Sequence, residues 1–79
     1  MMCLNSNRRE EISRVIAELE AVKSNVEDLR DEEQDCLVNM PENLEGSERY
    51  KRMEDAVDNL DDAVSSLEDA IESLEKASE

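Results

Sequence analysis

From Tyr50 onward the apolar positions fall at Tyr50, Met53, Val57, Leu60, Val64, Leu67, Ile71 and Leu74, in steps that alternate three and four. That alternation is the seam of a coiled-coil helix, with Tyr50, Val57, Val64 and Ile71 at a and Met53, Leu60, Leu67 and Leu74 at d. The first half repeats the pattern. Ile12, Leu19, Val26 and Met40 stand at a, and Val15, Val22, Leu29 and Cys36 at d. Glu33 breaks it, an acid at an a position inside the polar run Arg30-Asp31-Glu32-Glu33-Gln34-Asp35. The seam is expected to loosen there, with the carboxylate reaching water or a cation.

Local signals set the ends of these helices. Pro41 disfavours helical geometry at the residue before it and lacks a backbone donor, so the first helix should stop near Asn39. Gly46 can take a left-handed stop conformation, and Ser47 can cap the next helix by accepting a backbone N–H bond. Pro41 to Glu45 has room for one short turn. Asn7 followed by Glu10 has capping-box spacing. The expected layout is a tail over 1–6, docked if at all through Leu4, and a helical hairpin over 7–79. Its helices run from about 8 to 39 and 48 to 76 around a loop at 40–47, each roughly 45 to 50 Å long.

Two helices joined by so short a loop run antiparallel. Antiparallel coiled coils set an a residue beside a d residue, and paired residue numbers share one constant sum. Cys36–Tyr50, Glu33–Met53, Leu29–Val57, Val26–Leu60, Val22–Val64, Leu19–Leu67, Val15–Ile71 and Ile12–Leu74 all satisfy it. The two patterns are independent of each other, so their agreement predicts an all-α fold, an antiparallel two-helix hairpin. Cys36 is then expected as a small core residue, and Tyr50 as the closure of the seam at the loop end.

The rows beside the seam differ. At e the second helix carries Glu54, Asp61, Glu68 and Glu75, opposite Ile16, Lys23, Arg30 and Leu37 of the first, so Lys23 and Arg30 can each reach a carboxylate. At g it carries Ala56, Ala63, Ala70 and Ala77. Those alanines allow tight packing within the hairpin, or the approach of a second hairpin helped by Ile16 and Leu37. Chains below about 70–80 residues rarely gain more than 3–5 kcal/mol from one core. The expected assembly is therefore a homodimeric four-helix bundle, with Ala56, Ala63, Ala70, Ile16 and Leu37 at the interface. One hairpin docked on a different protein is the alternative.

Composition narrows the function. The 79 residues include 23 acidic and nine basic ones, for a net charge of −14, which disfavours direct binding of nucleic acid or an anionic membrane. No apolar run approaches the roughly 18 residues of a membrane span, and the N-terminus lacks a signal-peptide core. The two cysteines, Cys3 and Cys36, form neither a disulfide framework nor a zinc motif. A cytoplasmic protein is expected. There is no histidine and no glycine-rich loop. Di-iron bundles need Glu-x-x-His, and an EF-hand needs a longer loop of oxygen ligands. An enzyme is not expected, and no catalytic, cofactor or metal site is assigned.

The acidic face carries the functional expectation. From Glu54 to Glu75 every charged residue is acidic, one carboxylate per roughly 4 Å of helix. A DNA strand carries one phosphate per about 3.4 Å. A solvated face is the plain reading. The sharper one is charge mimicry of nucleic acid, in which Asp58, Asp61, Asp62, Glu68, Asp69 and Glu72 meet a protein with a basic surface. Basic residues gather instead at the hairpin's ends, as Arg8, Arg9 and Arg14 and as Arg49, Lys51 and Arg52. An oligomer could in principle assemble the latter trio into a sponge for a signalling nucleotide.

The stretch Asn39-Met40-Pro41-Glu42-Asn43-Leu44-Glu45-Gly46-Ser47-Glu48-Arg49-Tyr50, with Met53-Glu54-Asp55-Ala56-Val57 after it, resembles short acidic helical-hairpin proteins of Gram-positive phages and mobile elements. Its specific part is the Pro–Gly–Ser loop. Small phage proteins of this kind resemble anti-defence factors, anti-CRISPR inhibitors among them, and no functional residue carries over. By that analogy the expectation is a non-enzymatic inhibitor in the host cytoplasm, masking a basic surface on a host nucleic-acid-handling or defence protein. The rival is a structural or adaptor coiled coil docking through its alanine edge.

Overall fold

The computed structural model describes residues 6–41, 43 and 46–79. The N-terminal tail with Cys3 and Leu4, and most of the turn expected at Pro41 to Glu45, lie outside the described residues. Two helices make the fold, α1 over Ser6–Val38 and α2 over Glu48–Ala77. They pack along their lengths as an elongated body of 65 × 16 × 13 Å. The expected all-α hairpin is what the chain forms.

The ends follow local chemistry. Met40 N–H donates to the Leu37 carbonyl at 3.2 Å, closing α1 with a tighter turn just before Pro41. Gly46 sits at φ 82°, in the left-handed region. Ser47 is the N-cap of α2, with extended backbone, and its Oγ accepts the Tyr50 N–H at 3.2 Å. At the other end α1 already includes Ser6, which places Asn7 inside the first turn and not at the cap.

Antiparallel pairing is visible in two ion pairs across the interface. Lys23 Nζ lies 3.8 Å from Glu68 Oε1, and Arg30 Nη1 lies 3.0 Å from Asp61 Oδ1. One heptad forward along α1 is one heptad back along α2, so the two helices hold register over this span.

The core belongs mainly to α2. Val57, Val64 and Ile71, its a residues, are buried, while Leu60, Leu67 and Leu74 at d are half-buried. On α1 the expected seam is corrected. The a residues Ile12, Leu19 and Val26 are half-buried, but so are Ile16, Lys23, Arg30 and Leu37 at e. The d row is more exposed: Val15 is 37% exposed, Val22 45% and Leu29 53%, and Cys36 is exposed as well. Thus α1 meets α2 with its a and e rows. The cause is electrostatic and steric together. Lys23 and Arg30 lay their methylene stems along the groove and pair with acids on one flank, while on the other flank α1 offers Glu11 and Glu18 to a row of alanines. Only one flank attracts, and α1 rolls toward it.

Glu33 is half-buried at its a position. No side-chain polar atom among the described residues is buried without a hydrogen-bond partner, so its carboxylate keeps access to water.

Candidate functional site

With the roll of α1 fixed, the hairpin presents three distinct surfaces. The first is the flank where α1 and α2 exchange charge. Arg30 bridges Asp61 and its neighbour Asp31, whose Oδ1 lies 3.3 Å from Nε. The hydrogen bond to Asp61 lifts the Arg30 pKa above its ordinary value against the opposing effect of partial burial, and Asp31 adds to the lift. Asp61 and Glu68 are therefore committed to the partner helix. Ile16 and Leu37 share this flank, half-buried.

The second surface is the back of α2. Asp58 and Glu72 stand at b, and Asp62 and Asp69 at f, all exposed and all turned away from α1. Glu72 is bridged by Lys76 one turn on, at 3.2 Å. Asp58, Asp62 and Asp69 have no ion pair among the described residues. The six acids expected to act together thus divide: four share the outer face, while Asp61 and Glu68 pair with α1, their side chains still 52% and 55% exposed.

The third surface is the flank opposite the ion pairs. Here the exposed row Val15, Val22 and Leu29 of α1 runs beside the alanine row of α2, with the half-buried leucines Leu60, Leu67 and Leu74 between them. Ala56 and Ala63 are half-buried, whereas Ala70 and Ala77 are exposed. The next row outward on α2 is Asn59, Ser66 and Ser73, so from Ala56 to Ala77 this side of an otherwise acidic helix carries no charge. Ile16 and Leu37, expected beside the alanines, lie across the molecule from them.

Arg49, Lys51 and Arg52 are exposed near the loop, and Arg52 reaches Glu48 of its own helix at 3.6 Å. Among the described residues there is no cavity, and no cluster of three or more acidic or cysteine side chains is placed to hold a metal ion. No described helix is long and apolar enough to cross a membrane.

The exposed d row of α1 was the feature that periodicity alone misassigned. A signal for it was present. Ile16 and Leu37 widen the apolar stripe toward e, and Lys23 and Arg30, two of the few basic residues, fall on that same row. No protein-family model matches the chain, and comparison with curated proteins and with solved structures gives no significant similarity.

Proposed function

We propose that this chain is a non-enzymatic binding protein that lays the outer face of α2 against a basic surface of another protein. The observation that supports the reading is the set Asp58, Asp62 and Asp69, exposed on one side of α2 with no ion pair among the described residues. Carboxylates fixed in this way sum their fields along the rod and need no rearrangement to meet a complementary surface. A basic groove that takes nucleic acid fits such a charged rod. Masking it would make the protein an inhibitor of a host nucleic-acid-handling or defence protein, as expected of a phage-type anti-defence factor.

The test uses bacterial lysate passed over the immobilised chain, beside the triple variant D58K/D62K/D69K. Captured proteins should be nucleic-acid binders that elute at raised salt, lose their DNA or RNA when the wild-type chain is added, and ignore the variant. A captured set that the variant retains equally would defeat the proposal. The adaptor reading is favoured by a different observation, the apolar flank beside the uncharged side of α2, and has the opposite salt response.

A further inference from the structure

We infer that the flank where the uncharged side of α2 meets the Val15, Val22 and Leu29 row of α1 is covered by a second copy of this chain, forming a four-helix assembly in which that row of one protomer packs on the alanine row of the other. The inference is independent of the charge-mimicry reading, because it uses the flank and not the back of α2.

Area is the first argument. The chain exposes 5985 Å². A compact monomer of its mass, 9.0 kDa, exposes about 4,900 Å². That excess of about 1,100 Å² is what an elongated 65 × 16 × 13 Å hairpin leaves in solvent over its whole surface. Two helices of about 45 Å lying side by side present a face of roughly 900 Å², comparable to the roughly 800 Å² that each partner contributes to a standard interface.

Shape is the second. Large side chains stand on one helix of the flank and small ones on the other. A two-fold axis then sets branched residues against alanines at both contacts, which is the self-complementarity an isologous interface demands. On the α2 half of this flank Asn59, Ser66 and Ser73 stand where acids stand elsewhere, so a second copy meets no carboxylate there, and Glu11 and Glu18 border only the α1 half. The core supplies the third argument. Only Val57, Val64 and Ile71 are buried among the described residues, and none is fully sealed from solvent. A partner on this flank would close over Leu60, Leu67 and Leu74 as well, completing the layers a single hairpin leaves half open.

Sedimentation equilibrium of the full chain, from micromolar to millimolar concentration, tests the proposal. The expected result is a dimer that tightens as sodium chloride rises from low to half-molar, because salt screens repulsion between two chains of charge −14 and leaves apolar contact intact. Val22→Glu and Ala70→Glu, both at exposed positions, should each weaken it by at least about 100-fold, since each buries an unpaired carboxylate. Ser24→Glu adds the same charge on the far side of α1 and should leave the mass unchanged. Circular dichroism of dilute samples confirms that every variant remains helical. A monomer at all concentrations overturns the inference, as does a dimer that Val22→Glu and Ala70→Glu leave intact or that salt dissociates. Capture of a foreign helix by a chain that stays monomeric alone would assign the flank to another protein and overturn it too.

Discussion

Arg30 of α1 and Asp61 of α2 meet at 3.0 Å across the hairpin, and this contact lies on the flank toward which α1 is rolled. With Lys23 and Glu68 one heptad away it forms the charged edge of an otherwise apolar interface. On this edge the e row of α1 is half-buried against α2, while Val15, Val22 and Leu29 are 37–53% exposed.

The Arg30 contribution should be insensitive to pH until strongly alkaline conditions. Its pKa is raised on folding, chiefly by the hydrogen bond to Asp61. A raised pKa gives stability that is complete below the unfolded value and is lost only as pH climbs through the folded one. The deficit of Arg30→Gln against the wild type should therefore be the same at neutral pH and at about pH 10, and Tm should fall by no more than about 5 °C. Arg30→Lys should match the wild type near neutrality and fall away near pH 10, where a lysine begins to titrate. Thermal melts at the two pH values, read by circular dichroism, check both.

Truncation of the core should separate the two helices. Val64, 5% exposed, loses close packing on both sides when cut to alanine, and Val64→Ala should cost about 2 kcal/mol. Leu29→Ala removes more carbon, yet from a side chain 53% exposed, and should cost under about 1 kcal/mol in dilute protein where the chain is monomeric. Urea titrations at low micromolar concentration measure both. The reverse ranking would show that α1 faces its partner with its d row after all.

Cys36 should behave as a surface thiol. It lies on the exposed row of α1 and is itself exposed. In a Cys3→Ser background, dilute native protein should react with a maleimide within about tenfold of the rate in urea. Strong protection would place Cys36 in the seam.

The start of α2 rests on two residues with separate roles. Gly46 holds φ 82° with open space around it, so Gly46→Ala introduces backbone strain of about 1 kcal/mol and no clash. Ser47→Ala removes the acceptor for the Tyr50 N–H and should cost about 1 kcal/mol as well. Their double variant should be close to additive if the two act separately, and chemical denaturation reports it.

The sequence alone determined the helices, their direction and much of their punctuation. Heptad steps from Tyr50 to Leu74 require one face of α2 to be apolar, and a loop as short as the one after Pro41 leaves the chain no option but to turn back. Gly46 and Ser47 carried their own conformations, since a left-handed turn and an N-cap depend on neighbours a few residues away. The start of α1 was less legible: Asn7 had cap spacing, yet Ser6 is already helical.

Only the tertiary structure decided how far α1 is rolled about its axis. Its apolar residues occupy a, d and part of e, a stripe wide enough to pack in more than one orientation. The choice was made by Lys23 and Arg30 against Glu68 and Asp61, an interaction between side chains remote in sequence. That choice left Val15, Val22 and Leu29 37–53% exposed, and it separated the acids that face α1 from those on the back of α2. Periodicity records which residues share a face of one helix. How two faces meet depends on the free energy of both flanks at once, and that exists only when the helices are together.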